Sequence, residues 1–106
     1  MIGAVVTYTL PGPMPRAELL ERFGKTVDVY RSAPGLLRKT YCYDETTGQG
    51  TSFYQFDSLA SAQALLNPDF QKGFAERMGA TPEIYFTDTL MVVDNTIDSV
   101  STYEQD

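Results

Sequence analysis

The sequence predicts a single α+β domain of the ferredoxin-like type, a four-stranded antiparallel sheet with two helices on one face. Four segments are rich in β-branched and aromatic residues, and two others repeat apolar residues at helical spacing. Their order along the chain is β-α-β-β-α-β, and 106 residues suffice for one domain with one core.

The first strand is predicted over residues 2–9, and the first helix from Arg16 to the stop at Pro34-Gly35. The strand segment is rich in Val, Thr and Tyr and is followed by Pro11-Gly12-Pro13, which ends it. Pro34-Gly35 ends the helix in turn. From Arg16 onward, apolar residues recur on one helical face, namely Leu20, Phe23, Val27 and Tyr30.

Residues 36–43 and 51–56 predict a central β-hairpin, because the glycine-containing segment 44–50 between them is typical of a turn. Alternation along the second strand predicts Leu37, Lys39, Tyr41 and Tyr43 on one side and Leu36, Arg38, Thr40 and Cys42 on the other. The third strand has Ser52, Tyr54 and Phe56 on a shared side.

The second helical region is predicted to begin at Ser58 and to restart at Asn67-Pro68, since both positions carry residues that favour helix N-termini. A long final strand is predicted over residues 83–94. These elements define a domain of residues 1–94, followed by an acidic tail of residues 95–106. Apolar positions in this tail either contact a partner subunit or belong to a disordered terminus.

Composition excludes several classes of function. The net charge of −6 argues against a nucleic-acid partner, which requires clustered Lys and Arg. The absence of histidine removes the most common general base and metal ligand, and the single Cys42 cannot form an intramolecular disulfide. The apolar stretch Met1 to Val6 is too short for a signal peptide or a membrane span, so we expect a cytoplasmic protein without a membrane partner.

The predicted sheet has one face that no helix covers, and this face is partly apolar. Depending on the phase of the strands, it carries Val5, Met91 and Val93 or Val6, Leu90 and Val92. Because large apolar patches are unusual on soluble monomers, we predict a homodimer that packs through this face.

Several short motifs occur in an order that carries a family resemblance. They are Gly12-Pro13 after the first strand, Pro34-Gly35-Leu36 before the second, Lys39 with Tyr41, Tyr54-Gln55-Phe56-Asp57 before an Ala-rich helix, and Val93-Asp94 at the end. With these motifs the chain resembles the YdhR-type branch of monooxygenases, among the antibiotic-biosynthesis-monooxygenase-like dimeric α+β barrels. It departs from that branch in having no Trp, and from the haem-degrading relatives in having no histidine to bind iron.

The resemblance implies a ligand pocket between the sheet and its helices. Lys39, Tyr41 and Tyr54 are the candidate catalytic residues, the lysine to stabilise a phenolate or enolate and the tyrosines to orient its oxygen. The candidate substrate-binding residues are Tyr8, Phe56, Phe70 and Phe74. The alternatives are a surface lysine, tyrosines that only pack, and a core stripe of Phe70, Phe74 and Met78. Asp88 is either an ion-pair partner at the interface or a base in the pocket.

The function that the resemblance implies is a cofactor-independent monooxygenase that acts on a small or polycyclic phenolic aromatic. Two alternatives stay open: a non-catalytic dimeric barrel that binds a small hydrophobic ligand or serves a stress response, and a cofactor-free isomerase or cyclase. Without histidine, the sequence identifies no general base.

Overall fold

The computed structural model describes residues 1–104, so Gln105 and Asp106 of the predicted tail lie outside the described residues. The strands are β1 (Ile2–Thr9), β2 (Leu36–Asp44), β3 (Gln49–Phe56), β4 (Glu83–Asp88), β5 (Met91–Asp94) and β6 (Ser99–Thr102). The helices are α1 (Arg16–Gly24), α2 (Val27–Arg31), α3 (Leu59–Leu65) and α4 (Pro68–Met78). Among these helices none is long and apolar enough to cross a membrane.

Four strands form an antiparallel sheet in the order β2-β3-β1-β4, which confirms the predicted ferredoxin-like α+β fold. The side chains of Ile2, Ala4 and Val6 alternate onto the helix-covered face and are buried. Phe56, with 0% exposure, packs beside them together with Ala62 of α3. The core therefore lies between α3 and the middle of the sheet.

The starts of α3 and α4 are those predicted from the sequence. The Ser58 side chain accepts a hydrogen bond from the Ser61 amide, and the Asn67 side chain accepts one of 2.8 Å from the Phe70 amide. These bonds satisfy amides that have no partner inside the helix. At the other end, Gly79 adopts the left-handed conformation that stops α4.

The first helical region differs from the single helix that was predicted. The amide of Thr26 bonds to the Phe23 carbonyl at 2.9 Å, which ends α1 before α2 begins at Val27. This break changes which face is buried. Leu19 is the fully buried residue of α1, whereas Leu20 is 67% exposed and Val27 is also exposed.

An irregularity at the start of β2 corrects the predicted alternation there. Leu36 pairs with Phe56 and Arg38 with Gln55, so β3 has no partner for Leu37 and a β-bulge forms. Leu36 therefore packs against the core, and Leu37 is exposed. Beyond the bulge, Lys39, Tyr41 and Tyr43 share the helix-covered face as predicted.

The predicted long final strand is wrong, because it divides between β4 and β5. The Thr89 amide bonds to the Met1 carbonyl at 3.0 Å, and the chain then leaves the sheet. β5 and β6 pair with each other in a separate two-stranded sheet. Asp88 is exposed at the end of β4, outside any cavity lining, so it is not a pocket base.

The face of the sheet opposite the helices carries a band of apolar side chains. The strand register aligns Phe53, Val5 and Tyr85 in one row across β3, β1 and β4. Phe53 is 48% exposed and Tyr85 is 57% exposed. Of the predicted alternatives, Val5 thus belongs to the uncovered face, whereas Met91 and Val93 are exposed on the β5–β6 hairpin instead.

Candidate active site

A cavity of about 460 Å³ lies between the sheet and helices α1, α2 and α4. Its position is the one that the resemblance implies. Six aromatic side chains contribute to its walls: Tyr8, Phe23, Tyr30, Tyr41, Tyr54 and Phe74. Walls made of ring faces with a few hydroxyl groups favour an aromatic ligand that carries oxygen substituents.

The amine of Lys39 lies inside a cage of three tyrosine rings. Its Nζ is 3.5 Å from the ring centroid of Tyr30, 3.9 Å from that of Tyr41 and 4.8 Å from that of Tyr54. Among residues 1–104, no carboxylate lies within 4.0 Å of this nitrogen. The amine is therefore held by ring faces instead of an ion pair.

Two opposing effects set the protonation of Lys39. The faces of the three rings favour the ammonium form, whereas burial without an anion favours the neutral amine. Burial lowers the pKa of Lys39 from 10.5 to about 7. Both forms of the amine are then populated near neutral pH.

Tyr41 is fixed by the turn between α1 and α2. Its hydroxyl lies 2.6 Å from Thr26 Oγ1, which is also 2.7 Å from the Phe23 carbonyl. Its ring contacts the Phe23 ring at a centroid distance of 4.5 Å. Burial raises the pKa of Tyr41, and the hydrogen bond with Thr26 acts in the opposite direction. Tyr41 is therefore a neutral wall of the cavity at physiological pH.

Tyr54 connects the cavity to the core. Its ring stacks on Phe56 at a centroid distance of 5.9 Å and meets the Tyr30 ring edge-on at 6.1 Å. Burial raises the pKa of Tyr54, and the nearby tyrosines raise it further. Burial also raises the pKa of Tyr30, so both hydroxyl groups are protonated at physiological pH.

Tyr8 has the one buried side-chain polar atom in residues 1–104 that lacks a hydrogen-bond partner, its hydroxyl oxygen. Burial raises the pKa of Tyr8 to about 12, with a further contribution from Tyr43. The ring packs edge-on against Phe74 at 4.8 Å and lies over Gly50, where a Cβ atom would come within 2.1 Å of Tyr8 Cζ. A buried hydroxyl without a partner costs about 1–3 kcal/mol, so a ligand oxygen that accepted its proton would recover that energy.

The structure brings most of the predicted site residues together. Lys39, Tyr41, Tyr54, Tyr8 and Phe74 all line this cavity. Phe56 and Phe70 do not line it. Phe56 is enclosed behind Tyr54, and Phe70 packs against the core with its ring 6.0 Å from that of Phe74. A substrate contact is therefore not available to Phe56 in this arrangement.

Tyr30 and Thr26 are site residues that the sequence pattern did not predict. Tyr30 was assigned only to the apolar face of a helix, yet its ring is the nearest of the three to the Lys39 amine. Thr26 carried a signal, because a threonine directly before an apolar segment is typical of a helix start. That start is α2, which brings Tyr30 to the cage.

Lys39, Tyr30 and Tyr41 also border a second, smaller cavity of about 330 Å³. It lies beside α2 and the bulge of β2, with Leu36 and Arg38 among its lining residues. The cage therefore lies between the two cavities and contributes to the lining of both.

Within residues 1–104, no three His, Cys, Asp or Glu side chains come together in a group that could hold a metal ion. The cavity offers ring faces, hydroxyl groups and basic side chains instead.

Solved structures with this fold include several oxygenases. A monooxygenase from the gene ActVA-Orf6 of Streptomyces coelicolor, in complex with the ligand nanaomycin D, is 21% identical over 83% of this chain and 86% of its own, with a TM-score of 0.62. SnoaB, a cofactor-independent oxygenase from Streptomyces nogalater, is 19% identical over 87% of this chain and 95% of its own, also with a TM-score of 0.62. A variant of MhuD with two manganese protoporphyrin IX molecules bound per active site is 16% identical over 90% and 100%, with a TM-score of 0.67.

These similarities define the class of the fold. The predicted resemblance to the antibiotic biosynthesis monooxygenases is confirmed at that level, and the YdhR-type branch stays a prediction. No protein-family model and no curated protein sequence matches the chain.

Proposed function

We propose that the protein is a monooxygenase that oxidises a small or polycyclic phenolic aromatic with dioxygen and without a cofactor. The observation that carries this proposal is the Lys39 amine, held by three tyrosine rings in an aromatic cavity. The presence of a cofactor-independent oxygenase among proteins with this fold supports it.

Lys39 supplies the base that the sequence analysis did not identify. With a pKa of about 7, its neutral amine accepts a proton from the bound phenol or its keto tautomer. The ammonium that forms then lies beside the new phenolate and stabilises it in a site of low polarity. The same side chain thus acts first as the base and then as the counter-ion.

The hydroxyl groups around the cage orient the substrate oxygen. The hydroxyl groups of Tyr30 and Tyr54, both in the cavity wall, donate to the phenolate oxygen. The buried hydroxyl of Tyr8 is a second donor without a partner in the protein. Neutral donors suit this role because they stabilise the anion without competing for its proton.

The reaction is balanced for anthrone as a representative substrate. Lys39 removes one proton from the CH₂ group, the carbanion adds dioxygen, and the ammonium returns the proton to give a hydroperoxide. Loss of water then produces the ketone, so that anthrone and O₂ give anthraquinone and H₂O. One oxygen atom enters the product, the other leaves as water, and the four electrons come from the CH₂ carbon.

The test is oxygen uptake with anthrone by the purified protein, corrected for the rate without protein. Lys39→Met removes both the base and the charge, and Lys39→Arg keeps the charge but has no accessible neutral form. We expect both variants to lose at least about 100-fold in kcat/KM, as is usual for a general base. Lys72→Met, on the exposed surface of α4, is the matched control and should keep the full rate.

The pH profile separates the two roles of Lys39. If the neutral amine is the base, kcat/KM rises with pH and levels off above about 7, following the pKa of Lys39. Full activity in Lys39→Arg would contradict the base role. Ligand binding without oxygen uptake, over a panel of anthrones and hydroquinones, would favour the non-catalytic barrel, and turnover independent of oxygen would favour the isomerase or cyclase.

We also propose that two copies associate through the uncovered sheet face. Phe53, Val5 and Tyr85 form its apolar row, and Leu90, Met91 and Val93 add exposed apolar area on and beside the hairpin. Sedimentation should give twice the 11.8 kDa mass of the chain at micromolar concentration. Phe53→Glu should give monomers with unchanged helix content. Leu20→Glu, at an exposed position of α1, is the control and should leave the dimer intact. A wild-type monomer would overturn this proposal.

A further inference from the structure

We propose that the cavity selects an anionic aromatic, a ligand whose carboxylate or similar acidic group is held at the cavity mouth by Arg77, with Lys25 and Arg22 beside it. This inference rests on the site described under the proposed function and deepens that function by specifying the charge of the substrate. It applies equally to a substrate and to a ligand that is bound but not oxidised.

The distribution of charge is the first observation. The chain has 8 basic and 14 acidic residues, so an average surface region would be acidic. Four of the basic side chains line this one cavity: Arg22, Lys25, Lys39 and Arg77. No acidic side chain of residues 1–104 lines it. The cavity is therefore positive in a protein that is negative as a whole, which raises the local concentration of anions.

Helix ends alone do not account for these cations. Arg22 and Arg77 lie in the last turns of α1 and α4, and Lys25 caps α1, where basic residues complement the helix dipole. Each helix end carries the equivalent of about half a negative charge. Three full positive charges therefore exceed the partial charges of two helix ends, and the mouth stays positive.

Arg77 is the cation best placed to bind a ligand. Burial raises the pKa of Tyr30, and the positive charge of Arg77 acts against this, so the guanidinium is close enough to influence the cage. Within residues 1–104, no carboxylate lies within 4.0 Å of Arg77, whereas Arg22 has Glu18 at 3.9 Å. Arg77 thus keeps its donors for a ligand, and a guanidinium matches a carboxylate with two parallel hydrogen bonds.

The two cationic groups recognise different parts of one molecule. Lys39 lies among the rings inside the cavity, where a phenolic oxygen would be placed, and Arg77 is exposed at the mouth. Tyr30 lies between them, since its ring faces Lys39 and the positive charge of Arg77 acts to lower the pKa of its hydroxyl. A ligand with a phenol at one end and an acid at the other satisfies both.

The test compares 2-naphthoate with the neutral 2-naphthamide by calorimetry at pH 8.5, where Lys39 is mostly uncharged. We expect naphthoate to bind roughly tenfold more tightly, about 1.4 kcal/mol, and the difference to shrink in high salt. Arg77→Gln should weaken naphthoate binding about threefold to tenfold and leave naphthamide unchanged. Lys72→Gln removes the same charge from the exposed side of the same helix and should have less than about a twofold effect.

Two results would overturn the inference: equal binding of naphthoate and naphthamide, or equal effects of Arg77→Gln and Lys72→Gln on naphthoate. Circular dichroism of both variants shows whether they are folded, and Arg77→Lys, which keeps the charge, should restore part of the preference. The outcome is independent of oxygen uptake. A naphthoate preference without any oxygenase activity would contradict the proposed function but not this inference. Activity on neutral substrates without that preference would contradict this inference but not the proposed function.

Discussion

The helix-covered face of the sheet has two ends that differ sharply, although the same strands form both. At the packed end, Phe56 lies opposite Ile2 in the register of β3 and β1, and their side chains are buried. At the open end, Tyr8 lies opposite Gly50, which has no side chain, and the small Ser52 lies opposite Val6. The cavity exists because β3 carries large residues at one end and small residues at the other.

The difference separates stability from function along a single pair of strands. The packed end excludes water completely, while the open end keeps a partnerless hydroxyl at Tyr8 and an unpaired buried amine at Lys39. Both of these features cost folding energy in the absence of a ligand. Removing the amine of Lys39 should therefore stabilise the protein, whereas truncating a side chain at the packed end should destabilise it.

The largest effect is expected at the packed end. Phe56→Ala removes a fully buried aromatic ring and leaves a space that its neighbours cannot fill, so the free energy of unfolding should fall by about 3–5 kcal/mol. Urea denaturation measures this loss. A loss below about 1 kcal/mol would mean that the side chains around Phe56 are packed no more tightly than those at the open end.

Filling the space at the open end should have an intermediate effect. Gly50→Ala places a methyl group within 2.1 Å of Tyr8 Cζ, so the Tyr8 ring must move. Overpacking of this kind costs about 1–3 kcal/mol, and we expect weaker binding of 2-naphthoate in the same variant. The matched control is Gly12→Ala, where a Cβ meets no atom within 4 Å; it should affect neither stability nor binding.

Lys39→Met should stabilise the protein, by about 1–2 kcal/mol at pH 6, because it removes a poorly compensated buried charge. The pKa of Lys39 is about 7 in the folded protein against 10.5 for the unperturbed side chain. Between these pH values the unfolded chain binds more protons, so wild-type stability rises with pH through this window. The advantage of the variant should accordingly be full below pH 7 and decline toward pH 10.

Thermal unfolding at pH 6, 7.5 and 9 measures that difference, since 1 kcal/mol shifts the Tm of a domain of this size by about 4–8 °C. A constant difference across the pH range would contradict a lowered pKa. A destabilised variant at pH 6 would mean that the ring contacts outweigh burial.

The smallest effect is expected at the hydrogen bond that fixes the cage. Tyr41→Phe removes the contact with Thr26 and should cost about 0.5–1.5 kcal/mol. Thr26→Val tests the same contact from the other side. If the two hydroxyl groups bond to each other, the double variant should lose less than the sum of the single losses. Simple additivity would show that the bond contributes nothing.

The sequence was informative where the local signals were strong. The caps at Ser58 and Asn67, the order of the elements and the shared face of Lys39 and Tyr41 were all predictable, because they depend on capping chemistry and on strand alternation. Tyr54 and Tyr8 followed from the resemblance. These residues make up most of the cavity wall.

What the sequence did not predict depends on tertiary contacts. The bulge that moves Leu36 into the core has no marker in the sequence, since strict alternation was equally compatible with it. The hydroxyl contact between Thr26, at the break, and Tyr41 joins residues on separate elements, and so does the contact of the Tyr30 ring with Lys39. The end of β4 is fixed by a bond from Thr89 to the other end of the chain.

The state of the Lys39 amine is the most direct test of the whole account. The chain has three lysines, so lysine labelled with ¹³C at Cε gives three side-chain signals. The signal that disappears in Lys39→Arg belongs to Lys39, and the signals of Lys25 and Lys72 serve as internal references. The account predicts that the Lys39 signal titrates near pH 7 and is shifted upfield by the three tyrosine rings. A Lys39 signal that shows no ring shift and titrates near 10.5 would contradict it.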